Sequence, residues 1–463
     1  MINTTQGFDS PARPGMRTHW SAALLLVICL HIGDAAAWGN HTAPAYRALE
    51  RMPEIAGAPQ VTIEPLDSFL RAEEKQIEAL MAKQETWARA NVDSYAPRPA
   101  ALDYKANPAY SDAERRLAFF KALRIAQDSR FALYIQPDAR TGEITAPLLP
   151  YASVITLPEP AKVSERFVAI NPGDKVSVLQ VVASASSEPD YGLDINCFED
   201  NPGEWGKTYG FGDLSFGNPA YTYSSQAPFH MGFFHESQII YKAGPFIKRT
   251  FPLLRAHQYS SLAVLAFKTG HPYWGWRFTG LALHYVQDLT QPYHARLSPG
   301  ESTPRLISAN VFAMIGLPSM KQNLIVLLAN RHMALEQYQS QIVRNAAKAK
   351  QDTPVVLALR DSSKDTSYPQ WSDRYIKDVL TAQSATYADR VASTLIATLP
   401  AEFVSDPTKN FGNNGEVDMV GAISKVDAAQ RAELDQAIAE MLGNFGSHSR
   451  NMIRGVLKAV AAP

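Results

Sequence analysis

Cysteine is nearly absent: the 463 residues contain two, Cys29 and Cys197. That excludes a disulfide-stapled scaffold and any zinc or iron–sulfur site built from thiolates. Charge of one sign is also lacking. Forty-four basic side chains stand against 45 acidic ones, a formal net charge of −1, and charged residues make up 19% of the chain. Whole-chain electrostatics therefore predict neither a polyanion binder nor a polybasic membrane anchor, and a phosphate preference has to come from a local site. No internal repeat and no low-complexity segment stands out. What is present is apolar, at 46% with 10% aromatics, which excludes disorder over most of the length. Thirty-one prolines against 26 glycines fit long ordered loops between helices rather than a minimal bundle.

The apolar run over residues 22–32 is about half of what a membrane span requires. It lies within RTHWSAALLLVICLHIGDAAA, residues 17–37, with a basic start, an apolar middle and an Ala35-x-Ala37 end, the three-part layout of a secretory signal peptide. Met16 stands directly before it, so residues 1–15 read as an upstream extension of the start. Ile28 precedes Cys29 where a lipoprotein signal has a small residue. Cleavage after Ala37 leaves Cys197 as the sole cysteine, so no internal disulfide forms. The expected product is exported, to the periplasm or beyond the cell, and begins Trp38-Gly39-Asn40-His41.

Downstream, helical periodicity dominates. Leu66, Phe69, Leu70, Ile77, Leu80, Met81 and Trp87 predict one long amphipathic helix over residues 65–92. After a Pro-rich link, Ser111 and Glu114 fit a capping box opening a helix that turns Leu117, Phe120 and Leu123 inward. Residues 131–172 break the pattern with FALYIQ and ASVITL among prolines, an inserted excursion that suits a small hairpin. Helix resumes through Val176, Leu179 and Val182 to about Ser187. Residues 188–230 carry few regular signals, and a loop of that length inside a compact domain points to function. Strong helical runs follow over 236–269, 272–290, 321–350 and 370–398. Near the C-terminus Ser424 and Asp427 are candidate caps for a helix through Leu434, Ile438 and Met441 that Gly443 stops. The expected fold is one mainly α domain over residues 38–463, with long loops and insertions near 131–172 and 295–320.

Chemistry concentrates in HYVQDLTQPYH. His284 and Asp288 are four apart, so a helix places both on one face, where they can hold the same ion. Pro292 ends that helix and lets His294 swing to a neighbouring position. His332 and Glu336 repeat the four-residue spacing. Either pair alone is equally well a buried histidine bonded to a carboxylate; two pairs together with His294 favour a metal site. The nine histidines after Ala37 are His41, His230, His235, His257, His271, His284, His294, His332 and His448. Nitrogen and oxygen ligands without thiolate suit a hydrolytic zinc site.

These residues resemble the zinc-dependent phospholipase C and S1/P1 nuclease family. Its mark is an N-terminal tryptophan exposed by signal cleavage, an early histidine, an Asp-then-His pair, a His-x3-Asp-x5-His core and a closing His-x3-Glu or His-x3-Asp pair. Trp38, His41, Asp190, His230, then His284, Asp288 and His294, then His332 and Glu336 appear here in that order. The resemblance is confined to these segments and implies three zinc ions. The first takes the amine and carbonyl of Trp38 with His41 and Asp288; the second takes Asp190, His230, His284 and the shared Asp288; the third takes His294, His332 and Glu336. His235 and Asp194 stand as rivals to His230 and Asp190. Three divalent ions against three carboxylates leave about +3 to face a phosphodiester. Asp190 is the candidate for orienting or deprotonating the attacking water.

For the substrate, Glu336 and the Pro189-Asp190-Tyr191 stretch resemble phospholipase C members, with Tyr191 as a substrate contact. The Trp38-Gly39-x-His41 opening followed by Ala45-Tyr46 looks like the nuclease branch. Trp205, Tyr209, Phe211, Phe216, Tyr221 and Tyr223 are available to stack bases, to dip into lipid or to fill the core. The expectation is a secreted zinc phosphodiesterase acting on phospholipid. A single-strand nuclease is the alternative, and a non-catalytic exported metal-binding protein is the reading from another class.

Overall fold

The computed structural model describes residues 40–160, 164–217, 222–409 and 416–462. Trp38 and the segment read as an export signal lie outside the described residues, as does Tyr221. Among the described residues the chain is mainly helical, as expected. Twelve helices have seven residues or more: α1 (Thr42–Leu49), α2 (Leu66–Ala72), α3 (Glu74–Asn91), α4 (Asp112–Leu123), α5 (Val178–Ala185), α6 (Pro252–Lys268), α7 (Pro272–Asp288), α8 (Thr303–Met314), α9 (Ser319–Lys348), α10 (Pro354–Arg360), α11 (Thr381–Thr398) and α12 (Ala428–Ala461).

Helix α7 is the axis of the molecule. Every side chain from Tyr273 to Asp288 is buried, because α6, α5 and α12 all pack on it. A helix enclosed all round needs an apolar surface on every side, and Trp274, Phe278, Leu281 and Val286 supply it. Each such fully buried side chain stabilises the fold by about 1.5–3 kcal/mol. Gly280 sets how closely α5 approaches: a Cβ there would stand 2.7 Å from Val182 O and 2.6 Å from Ala185 Cβ. The last turn then departs from this logic, since His284, Gln287 and Asp288 are completely buried. Burying such groups is costly unless each is paired, which marks this end of α7 as built for something other than packing.

Strand is confined to two short antiparallel pairs. β1 (Val61–Thr62) pairs with β4 (Lys175–Val176), and β2 (Tyr134–Ile135) with β3 (Val168–Ala169). The second pair closes the 131–172 excursion at its base, so the excursion is a long strand-bounded loop rather than a tight hairpin. Its own small core joins Tyr134, Val154, Ile155, Phe167 and Tyr191.

Several expectations are corrected. The helix expected over 65–92 is two helices, broken at Glu73, whose Oε1 lies 3.3 Å from His271 Nε2. The Ser111–Glu114 capping box forms, but Leu117 is 37% exposed while Phe119, Phe120 and Leu123 turn inward. Val176 belongs to β4, not to the helix that follows. Within residues 188–230 the described part is irregular chain interrupted by short helical turns, Glu188–Tyr191, Gly206–Tyr209, Thr222–Gln226 and Ala227–His230, and many of its side chains are buried. Asp427 caps α12, yet Gly443 does not end it; the helix continues to Ala461.

Candidate metal centre

Six chain segments deliver the predicted residues to one place. His41 caps the start of α1, and Asp190 lies in the 3-10 turn Glu188–Tyr191 that follows α5. His230 ends the short helix Ala227–His230. His284 and Asp288 come from the last turns of α7, His294 from the helix Pro292–Ala295, and His332 and Glu336 from α9. All eight are buried.

Their ligand atoms fall into three groups: His41, His284 and Asp288; Asp190, His230 and His284; His294, His332 and Glu336. Within each group the donor atoms lie within 4.8 Å of one another, a spacing able to hold a metal ion. Asp288 joins the first two. Its Oδ1 is 3.2 Å from His41 Nε2, while its Oδ2 is 2.8 Å from His230 Nδ1 and 3.1 Å from His284 Nε2. In the third group Glu336 Oε1 lies 2.6 Å from His332 Nε2 and 3.3 Å from His294 Nε2.

A second layer fixes which ring nitrogen faces inward. His284 Nδ1–H donates to Ser186 O at 2.8 Å, His41 Nδ1–H to Gln287 Oε1 at 2.9 Å and His294 Nδ1–H to His230 O at 2.9 Å. Each bond leaves the Nε2 lone pair directed into the cluster, the arrangement that metal-ligating histidines require. Gln287 is itself held by Ser449 of α12 at 3.2 Å. The turn bearing Asp190 is tied down one residue pair away, where Arg277 grips Glu188 Oε1 at 2.6 Å and Oε2 at 3.1 Å.

Fit to a cation shows in what the protein leaves unsatisfied. Asp190 Oδ1, Asp288 Oδ1 and Glu336 Oε2 are buried without a hydrogen-bond partner among the described residues. Despite burial, His284 and His294 hold the Asp288 carboxyl well below the usual carboxylate range. Glu336, also buried, is held at about 2 by His332 and His294. Burial pushes Asp190 up to about 7, against the pull of His230 and His41. Burial works to lower His230, but Asp194 and Asp288 outweigh it and raise it to about 10. Three carboxylates buried together with imidazoles thus favour positive charge at this cluster, from protons on imidazole or from metal ions.

The rivals are placed elsewhere. His235 Nε2 lies 2.8 Å from Lys377 O and 3.1 Å from Thr381 Oγ1, bonded to α11 and its lead-in rather than to the cluster. Asp194 lies behind His230: its Oδ2 is 3.5 Å from His230 Nε2 and accepts from the Tyr285 hydroxyl at 2.6 Å, while Oδ1 accepts from Arg255 Nε at 2.7 Å. Burial works to raise Asp194, but Arg255, His230 and the Tyr285 hydroxyl outweigh it and hold it at about 2. The ring of Tyr191, expected as a substrate contact, packs against Phe167, and its hydroxyl donates to Gln136 Oε1 at 2.8 Å. Of the loop aromatics, Tyr209, Phe211 and Phe216 are buried in the main core, and Trp205 Nε1 donates to Ile195 O. The side chain of Tyr223 lies outside the described residues. Cys197 is buried and takes no part in the three groups.

Sequence reasoning missed the second layer. Gln287 and Gln291 lie inside the HYVQDLTQPYH segment, and Gln291 Nε2 donates to Glu336 Oε1 at 3.2 Å, so their position was the available signal. Arg255, Arg277 and Ser186 act through tertiary contacts that no spacing announces. No protein-family model, curated protein or solved structure matches this chain.

Proposed function

We propose that this chain is an exported zinc-dependent phosphodiesterase whose preferred substrate is a phospholipid cleaved on the glycerol side of its phosphate. The reading is carried by one observation: three adjoining, fully enclosed groups of imidazole and carboxylate donors, the first two joined through both oxygens of Asp288. His41 and Asp288 hold one ion, Asp190, His230 and His284 a second, and His294, His332 and Glu336 a third. By the family resemblance, the α-amine of Trp38, freed by signal cleavage, would complete the first set.

Zinc supplies Lewis acidity toward phosphoryl oxygens and favours deprotonation of water at neutral pH. The chain's own contribution is placement. Asp190 presents Oδ1, which has no hydrogen-bond partner, to accept a proton from the attacking water. The Nδ1 bonds of His41, His284 and His294 keep the metal-facing nitrogens in place through the reaction. Lipid is favoured over nucleic acid by Glu336 and the Pro189-Asp190-Tyr191 stretch, which resemble phospholipase C members, while the buried Tyr209, Phe211 and Phe216 present a surface to neither substrate.

Phosphorus NMR on the zinc-loaded protein, mixed with phosphatidylcholine micelles and a single-stranded oligonucleotide, tests the reading. Phosphocholine as the new resonance is the expected result. Nucleoside monophosphates move the assignment to a nuclease, and no new resonance leaves a non-catalytic metal binder.

A further inference from the structure

Ten large apolar side chains stand exposed among the described residues, and five of them fall within residues 311–317: Val311 at 43%, Phe312 at 43%, Met314 at 53%, Ile315 at 67% and Leu317 at 56%. Scattered apolar exposure is ordinary, but a contiguous patch of this kind marks an interaction surface. The five form the tip of a helical hairpin, at the end of α8 and the turn into α9. No charged residue occurs anywhere in 306–320, and the charges that bracket the stretch, Arg305 and Lys321, are both basic.

We infer that this tip docks the protein onto the surface of a phospholipid bilayer, an inference that rests on the phospholipase reading for its biological sense. Three features select lipid over a protein partner. First, the segment VFAMIGLP at 311–318 presents no hydrogen-bonding side chain, whereas protein interfaces carry about one hydrogen bond per 100–200 Å². Second, five side chains fall far short of the roughly 20 residues a side that a stable protein–protein interface uses. Third, the N–H groups of the turn from Ile315 to Leu317 are paired internally. Ile315 N–H donates to Val311 O, Gly316 N–H to Ala313 O and Leu317 N–H to Phe312 O, while Pro318 has no N–H to satisfy. Gly316, at φ +87°, makes this closure without strain. N–H groups already paired can enter an apolar medium without being orphaned. The charges nearest the tip in sequence are both basic, the sign that suits a surface of lipid phosphates, although Arg305 is also paired with Glu301 Oε2 at 2.6 Å. Helix α9 then runs from the tip to His332, 13 residues on from Ser319 and about 20 Å along the axis, so docking would keep the metal centre within about 20 Å of the lipid surface.

Sedimentation with phosphatidylcholine vesicles containing a minority of anionic lipid tests this on the zinc-loaded protein. The variant carrying Phe312→Ser, Ile315→Ser and Leu317→Ser is expected to lose at least tenfold in vesicle affinity while keeping its hydrolysis of short-chain lipid below the micelle threshold. In a separate variant, Ile315→Trp, emission is expected to be quenched by brominated acyl chains beyond the quenching of the wild type. Equal vesicle binding by wild type and triple variant, or no added quenching, overturns the inference. So does concentration-dependent self-association that the triple variant abolishes, which would make the occupant a second copy. Vesicle binding is read without turnover, so a protein that docks but hydrolyses no lipid sinks the phospholipase reading and leaves the docking tip standing.

Discussion

His41 and Asp288 meet in the interior, His41 Nε2 3.2 Å from Asp288 Oδ1, with neither side chain reaching solvent. The other oxygen of the same carboxylate faces His230 and His284. One residue near the end of α7 thereby links the start of the described chain to the loop segments at its middle. Replacing Asp288 with Asn keeps the shape and removes the charge that two donor groups share. Activity is expected to fall further than the roughly 10–100-fold typical of outer-layer changes. Zinc content per chain should drop by about two ions, measured by mass spectrometry of the metal; undiminished zinc in the variant would show that Asp288 is no ligand.

His230 and His235 are five apart in sequence but part company in space. His230→Ala is expected to lose metal and activity together. His235→Ala removes only bonds to Lys377 O and Thr381, and should leave turnover within about twofold while lowering stability by about 1 kcal/mol. Paired initial-rate measurements on the two variants decide the matter, and the opposite ranking would exchange their roles.

Asp194 compensates a buried arginine and steadies a histidine at once. Asp194→Asn leaves the Arg255 charge without its partner in the core, which should cost about 3–5 kcal/mol in urea unfolding. It also loosens the second layer behind His230, for which a zinc affinity loss of roughly 10–100-fold is expected. Tyr285→Phe removes a single bond to the same carboxylate and should cost only about 1 kcal/mol. Competition with a chelating dye reads the affinity, and an unchanged affinity in Asp194→Asn would confine that residue to stability.

His448 is a buried histidine outside the metal centre. The Tyr375 hydroxyl donates to its Nδ1 at 2.8 Å and its Nε2–H donates to Gln383 Oε1 at 2.8 Å, which fixes the neutral ring. Burial lowers its pKa from 6.5 to about 3. Between those values the unfolded chain binds a proton that the folded chain refuses, so stability falls as pH drops below 6.5, at about 1.4 kcal/mol per pH unit. In denaturant titrations from pH 7 to 4.5, His448→Gln should show a stability slope shallower than the wild type by that amount. Parallel slopes would mean that the histidine accepts its proton without cost.

The placement of the site residues was legible to different depths. A spacing of four on a helix puts two side chains on one face whatever surrounds it, so His284 with Asp288 and His332 with Glu336 were readable as pairs. That the pairs converge with His41 and Asp190 depends on helix packing, and only the resemblance linked them beforehand. The burial of Tyr191 was not readable, because the face of the Glu188–Tyr191 turn on which it stands is set by the small core of the 131–172 excursion. Gly443 failed as a stop because α12 packs along α10 there, with Ala358 Cβ 3.9 Å from where a Cβ would stand. The packing of α12 on α10 and α11 outweighs the roughly 1 kcal/mol that a glycine costs a helix interior. The apolar tip at 311–317 left a readable trace, fifteen residues without charge, whose exposure only the fold decides.

The central claim is the trinuclear zinc centre, and its most direct test is anomalous diffraction from crystals of the protein grown with zinc, with data on both sides of the zinc absorption edge. Three peaks are predicted: one between His41 and Asp288, one among Asp190, His230 and His284, and one among His294, His332 and Glu336. An anomalous map with no peak at these residues, from crystals in which the eight side chains are ordered, would contradict the account.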